Sequence, residues 1–396
     1  MNDVSDAPPS PCSLAHRAIL PGATLGILGG GQLGAMFASA ARRMGYRVEA
    51  VVEDADCPAA RHCDAIHIGL LDDPVGLVAL GSRFAAVTYE FENVPVAAAR
   101  ALAAVVPVRP GPEVLYTTQD RGREKAFLVA HGLPCAPHAT VRSRDDLTAA
   151  LSKVGFPAVL KTSASGYDGK GQQRVDGPAD VDAAWRVLGP AELVCEGWVR
   201  FACEMSVVAA RGIDGATCTW EPSLNVHRHH ILDLSTAPCG LPEATVAAAR
   251  RMAVRILEGL DVVGVACVEF FVTVDGGLLV NEIAPRPHNS GHLTIEGAFT
   301  SQFEQQVRAV CGLPLGSTSP RAPAAMANLL GDCWQRGEPD WAAALAVPGV
   351  SLHLYGKSSP RPGRKMGHLT ALAGTVAEAE AAALSARQAL ARGGLG

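Results

Sequence analysis

Short apolar runs punctuate this chain, and most of them end in a glycine-rich or charged turn. Thr24-Leu25-Gly26-Ile27-Leu28 reads as a buried strand, and apolar positions at helical spacing follow through Met44. Val48 to Val52 predicts a second strand, and Ala85 to Tyr89 another. Strands that alternate with helices predict a parallel, doubly wound sheet for residues 22–112. A helix is predicted from Gln119-Asp120-Arg121 to about His131, with Arg121 and Lys125 four apart and so on one face. Phe156 to Lys161, Leu193 to Val199 and Glu204 to Val208 read as strands of a middle unit, 113–315. A last unit, 316–396, opens with a strand at Leu352 to Lys357 and closes in an Ala-rich helix from Ala373 to Gly393. The whole is α/β and α+β, with residues 1–21, which carry Pro8, Pro9 and Pro11, as a flexible tail.

The most informative pattern is Val265 to His292. A β-branched run reaches Asp275-Gly276, a signal for a two-residue hairpin turn, and a second apolar run leads to Asn281 and Glu282. With that turn, Val274 pairs with Gly277 and Glu269 falls opposite Glu282. Directly opposed Cβ atoms lie about 4.5–5.5 Å apart on one face. Two carboxylates so close, flanked by Val268, Phe270, Val280 and Ile283, call for a cation between them. Mg²⁺ suits hard oxygen ligands and shares them with phosphates. The other reading is a solvated acidic face on an edge hairpin. A bulge at Gly277 would put the two acids on opposite faces.

Composition narrows the class. Of 396 residues 48% are hydrophobic and 18% charged, so a large core can be buried, and the net charge of −5 argues against nucleic acid as main partner. No apolar run reaches the roughly 18–20 residues of a membrane span. Eleven scattered cysteines with no CxxC pair fit a reduced, cytoplasmic setting.

Three further stretches carry candidate chemistry. Gly29-Gly30-Gly31-Gln32-Leu33-Gly34, with Glu53 about 20 residues on, matches the dinucleotide fingerprint. Alone it supports an NAD-dependent oxidoreductase, although such a turn serves any anion at a helix N-terminus. Glu90 and Glu92 lie at the C-terminal end of a strand, the edge where open α/β sheets bind ligands. Lys161 precedes a loop with three glycines in six residues, Gly166-Tyr167-Asp168-Gly169-Lys170-Gly171, then Gln172. Its N–H groups can wrap phosphate oxygens; an ordinary hairpin turn is the alternative. Lys357, Arg361, Arg364, Lys365 and His368 form a basic cluster that suits a phosphomonoester or is a solvated loop.

The segments KTSASGYDGKGQ, EGWVRFACEMSV, GVACVEFFV and LLVNEIAPRPHNSGHLTIEGAFTSQFEQ resemble the ATP-grasp superfamily. With GILGGGQLG and HLYGK…GRKMGH, the chain is similar over about 24–370 to the N5-carboxyaminoimidazole ribonucleotide synthase family. The resemblance implies an ATP-grasp fold between a Rossmann-like N-terminal domain and a small β-rich C-terminal domain. It implies ATP-dependent carboxylation of aminoimidazole ribonucleotide (AIR) with bicarbonate, with Mg²⁺ or Mn²⁺, in a homodimer. The alternative is another ATP-grasp ligase of a phosphoribosyl amine, such as the formate-dependent glycinamide ribonucleotide transformylase.

Carried over by position, Arg121, Lys161 and Gly166 to Gln172 hold the ATP phosphates. Glu196, Gly197, Trp198 and Val199 line the adenine through backbone groups. Glu204 takes the ribose, His227 lies near the nucleotide, and Glu269 and Glu282 bind the metal beside Asn281. Gly31, Gln32, Leu33 and Glu90 face AIR, with Lys357, Arg364 and Lys365 at its phosphate. Tyr167, Asp168 and Lys170 are expected at the reacting groups, and Arg286, His288, Asn289 and Ser290 around bicarbonate or carboxyphosphate. The chain departs from the family pattern at Ala35, where Arg is usual, and at Leu224, where Glu is usual.

Overall fold

The computed structural model of the protein describes residues 18–393 except 165, 167, 168 and 190. The expectations for Tyr167 and Asp168 lie outside the described residues. Four parallel strands form the first sheet, in the order Ala65–Ile68, Arg47–Val52, Thr24–Leu28, Ala86–Tyr89. Apolar residues fill both of its faces, as a parallel sheet between helices requires. Leu25, Ile27, Val48 and Ala50 pack one way, and Leu28, Val51 and Val87 the other.

The core on the first of those faces is completed from far along the chain. Phe303, Val307, Val310 and Cys311 of helix Gln302–Cys311 pack against Leu25, Ile27 and Phe37. Polar contacts seal the seam: Arg109 Nη1 donates to the Val310 carbonyl at 2.6 Å, and Gln306 Nε2 to Thr88 Oγ1 at 2.8 Å. The same helix anchors the start of the described chain, because Ile19 N–H bonds to the Cys311 carbonyl at 2.8 Å. The tail expected through residue 21 therefore gives way to packed chain by Ile19.

A second sheet is small and antiparallel, in the order His138–Val141, Leu193–Gly197, Ala158–Thr162, Gln172–Val175. Helices Arg144–Val154 and Val181–Leu188 cover it through Leu147, Leu151, Val181 and Ala184. Helix Arg121–Ala130 leads into this lobe, capped by Asp120, whose carboxylate accepts from Arg123 N–H at 2.8 Å.

The third sheet has nine strands and runs through both remaining parts of the chain. Leu278–Ala284 forms one edge, followed by Gly264–Thr273, Phe201–Arg211, Ser223–Arg228 and Ile231–Ala237. The C-terminal strands Ala324–Leu330, Lys365–Leu372 and Val350–Leu354 then continue it, joined by Leu234 opposite Ala327. The C-terminal part is thus β-rich, but its strands extend the preceding sheet. Among the described residues no helix is long and apolar enough to cross a membrane, and all ten cysteines are unpaired.

Candidate active site

The acidic hairpin reaches its expected pairing by a different route. Its turn has three residues, not two: Thr273 N–H bonds to the Gly277 carbonyl at 2.9 Å, and Gly276 takes φ +84°. A glycine in that left-handed conformation is the signature of a type I turn with a bulge. The ladder therefore leaves the turn one residue out of the predicted register, with Phe271 opposite Leu279 and Phe270 opposite Val280. Asn281 is then an extra residue, and beyond it Glu269 faces Glu282 and Val268 faces Ile283. The bulge at Asn281 cancels the offset at the turn.

Glu269 is enclosed. Burial first, and then the charge of Glu282, push its carboxyl up to about 8. His288 Nε2 lies 3.2 Å from Glu269 Oε1. Burial, with Arg286 and Lys365 nearby, holds this imidazole well below its ordinary value. Two facing carboxylates, one of them accepting a hydrogen bond from the Asn281 side chain, make a hard-oxygen pair whose mutual repulsion a divalent ion would relieve. That chemistry fits Mg²⁺ or Mn²⁺.

The candidate nucleotide residues gather beside this pair. Lys161 Nζ lies 2.9 Å from Glu196 Oε2, and Lys125 Nζ 3.9 Å from Oε1. Burial raises the Glu196 carboxyl, but the two lysines outweigh it and bring it down to about 2. Arg121 Nη1 donates to the Thr162 carbonyl at 2.7 Å and Nη2 to the Gly166 carbonyl at 3.0 Å, so this guanidinium grips the root of the glycine loop. Farther along the loop, Gly169 lies against His230, which a Cβ would meet at 2.6 Å.

Glu196 sits mid-strand, its backbone flanked by His138 and Val159. The Gly197 and Trp198 N–H groups are taken by the Pro137 and Pro157 carbonyls. A backbone lining of adenine by Glu196 to Val199 is therefore left to the carbonyls and to N–H groups other than these two. Glu204 Oε2 lies 2.7 Å from His227 Nδ1; burial lowers the imidazole, but the carboxylate outweighs it and raises its pKa. Leu224, one of the two departures from the family pattern, is partly buried and packs against the core behind the large sheet.

On the first-domain side the glycine loop is already filled by the protein's own anion. Glu90 Oε2 accepts from Gly34 N–H at 2.8 Å, and Oε1 accepts from Gly31 N–H. A Cβ on Gly31 would stand 2.5 Å from Glu90 Oε1, so this glycine is required by close approach. Burial outweighs these N–H groups and the nearby Arg286 and Lys357, and raises the Glu90 carboxyl. A dinucleotide pyrophosphate needs those same N–H groups, which removes the physical basis for the oxidoreductase reading. Leu33 is buried in the first-domain core, so its side chain does not face a substrate.

Arg286 makes a two-pronged pair with Glu92, Nε to Oε2 at 2.5 Å and Nη2 to Oε1 at 2.9 Å. Its fork is therefore committed across the domain seam, where the sequence reading had it free for bicarbonate. His288 Nδ1 and Ser290 Oγ are 2.9 Å apart. The Asn289 amide is buried, with no partner at either atom among the described residues. Lys357 Nζ reaches the Lys365 carbonyl at 2.8 Å, and Arg364 Nη1 the Ser359 carbonyl at 2.8 Å.

Glu92, a candidate at the ligand-binding edge of the first sheet, is held by Arg286, whereas two charged residues at the site had no role in the sequence reading: Glu124 and Lys125 of helix Arg121–Ala130. Lys125 is 1% exposed and Glu124 3%. Their signal was the shared helical face of Arg121 and Lys125, which spacing alone does not mark as buried.

A lysine and glycine loop on a small antiparallel sheet, facing paired carboxylates on a larger one, defines an ATP-grasp ligase. Family models match in chain order: the ribonucleotide synthetase preATP-grasp domain at 22–119, the ATP-grasp domain at 126–303 and the phosphoribosylaminoimidazole carboxylase C-terminal domain at 324–382. The N5-carboxyaminoimidazole ribonucleotide synthase of Brucella melitensis is 44% identical over 89% of this chain and 97% of its own; that of Bacillus subtilis is 40% identical over 90% and 93%. The crystal structure of the Aspergillus clavatus N5-carboxyaminoimidazole synthase with ADP and 5-aminoimidazole ribonucleotide has a TM-score of 0.85 at 30% identity, covering 93% of this chain and 99% of that one. The chain belongs to the N5-carboxyaminoimidazole ribonucleotide synthase family.

Proposed function

We propose that the protein carboxylates the exocyclic amine of AIR at the expense of ATP, giving N5-carboxyaminoimidazole ribonucleotide, ADP and phosphate. A bicarbonate oxygen attacks the γ-phosphorus and ADP leaves, forming carboxyphosphate. The AIR amine nitrogen then bonds to the carboxyl carbon, phosphate leaves, and the amine proton passes to a base. The observation that carries this reading is the meeting of three charge arrangements in one site: facing Glu269 and Glu282, Glu196 between two lysines, and Glu90 close to Lys357 and Arg286.

In this reading Lys161, Lys170 and the glycine loop hold the triphosphate, and the stretch from Glu196 to Val199 reads adenine through carbonyls and the Val199 N–H. Glu204 and His227 orient the ribose. Glu269 and Glu282 would hold Mg²⁺, which when bound neutralises charge between the β- and γ-phosphates. Lys357, Arg364 and Lys365 take the AIR phosphate, and Glu90, with its raised affinity for a proton, faces the amine. His288 and the buried Asn289 amide supply hydrogen bonds to bicarbonate or carboxyphosphate. The family resemblance supports a homodimer and a cytoplasmic setting, which sedimentation and cell fractionation test.

The direct assay is ADP formation with AIR and bicarbonate each omitted in turn. Full turnover is expected only with both. Equal turnover with formate and glycinamide ribonucleotide would transfer the assignment to the formate-using ligases.

A further inference from the structure

The bulge at Asn281 is what brings Glu282 opposite Glu269, so whatever fixes the bulge fixes the carboxylate pair. Its own sequence does not. Asn281 lies on the edge strand Leu278–Ala284, which has a strand neighbour on one side only. A ladder continued without the bulge, in the register of Phe270 with Val280, would set Glu269 opposite Asn281 and turn Glu282 to the other face. Edge strands with an open side are prone to such slips.

Here the open side is closed at three points. Val280 N–H donates to the Pro134 carbonyl at 2.8 Å. Lys125 Nζ donates to the Asn281 carbonyl at 2.7 Å. Glu124 Oε2 accepts from Ile283 N–H at 2.8 Å. Two adjacent residues of one helix thus bracket the bulge, one holding the carbonyl of its extra residue and one the N–H just beyond Glu282.

We propose that Lys125 and Glu124 are positioning residues that lock the bulge at Asn281 and so hold Glu269 and Glu282 on one face of the sheet. The inference rests on the metal reading of those two carboxylates. Lys125 also lies 3.9 Å from Glu196, whose other oxygen is held by Lys161, and Arg121 at the head of the same helix grips the glycine loop. One helix therefore ties the carboxylate pair to the nucleotide side. Burying a lysine and a glutamic acid is a poor device for stability, since apolar residues of equal volume do as well or better. Their geometric task gives the pair a reason to be where it is.

The test is ADP binding by calorimetry with and without Mg²⁺, alongside steady-state kinetics, on Lys125→Met, on Glu124→Gln/Lys125→Met and on Glu282→Gln. The double variant replaces both buried ionisable side chains with neutral ones and serves as the second test if the single one melts early. In wild type Mg²⁺ should tighten ADP binding, and Glu282→Gln should abolish that gain. Lys125→Met and the double variant should cut the gain about ten- to a hundredfold, the scale of lost outer-shell contacts, while the AIR KM moves by less than about twofold. A merely structural role would lower the melting temperature and leave the Mg²⁺-dependent gain intact. If Glu282→Gln abolishes the gain while both Lys125 variants keep it, the clamp is overturned and the metal reading stands. If Glu282→Gln keeps it, the metal reading itself fails.

Discussion

Glu196 shows how a single side chain can be held charged inside the protein. Burial penalises its ionised form, yet Lys161 and Lys125 bring its carboxyl from 4.5 down to about 2. Because the folded value lies below the unfolded one, its contribution to stability is present above about 4.5 and is lost as pH falls toward about 2. Denaturation midpoints measured across that range should fall with pH, and Glu196→Gln should flatten part of the fall. The same variant should also be less stable at neutral pH, since it leaves the buried Lys125 ammonium and the part-buried Lys161 ammonium facing an amide. At the other end of the site, Lys357→Ala and Arg364→Ala should raise the AIR KM by about tenfold or more and the ATP KM far less, as expected for charge-assisted bonds worth about 1.5–3 kcal/mol. Equal effects on both substrates would argue against a phosphate site there. These charged residues were legible by type and motif. The commitment of Arg286 to Glu92, 194 residues away in sequence, was not, because no local pattern encodes so distant a partner.

Among elements, the glycine loop and the acidic hairpin teach opposite lessons. The strand Thr24–Leu28 and the helix after it followed from local periodicity, and the helix capped by Asp120 began where its signals put it. The loop between strand and helix carried a dinucleotide fingerprint, yet Glu90 fills its anion site. Gly31→Ala should therefore cost about 1–3 kcal/mol by overpacking against that carboxylate. Much of the loss should return in Gly31→Ala/Glu90→Ala, read by denaturant titration of both. NADH should bind to neither wild type nor variant. In the hairpin, the facing of Glu269 and Glu282 was anticipated through two one-residue departures that cancel. Gly276 carries a local signal for a bulged turn, whereas Asn281 carries none: the partners of its bulge lie on a helix more than 150 positions earlier.

At the level of the whole molecule, sequence divided what structure joins. The last strands extend the large sheet through Ile231–Ala237, and helix Gln302–Cys311 closes the core of the first domain. Pairings such as Leu234 with Ala327 have no sequence signature, which is why the C-terminal part read as a separate unit. Glu92 and Arg286 cross the seam as well, so Glu92→Gln should lower activity by loosening the two halves while each retains its fold. Hydrogen exchange would show this as faster exchange confined to residues 86–110 and 284–292.

The helix that completes the N-terminal core is also made late. A ribosome at about 5–20 residues per second needs roughly ten to forty seconds to extend the nascent chain from residue 112 to residue 311. Throughout that interval the seat for Phe303 and Val307 lies open, a greasy notch on a half-made protein. The N-terminal core is thereby left incomplete until residue 311 has been made, and its apolar surface stays uncovered through most of that time.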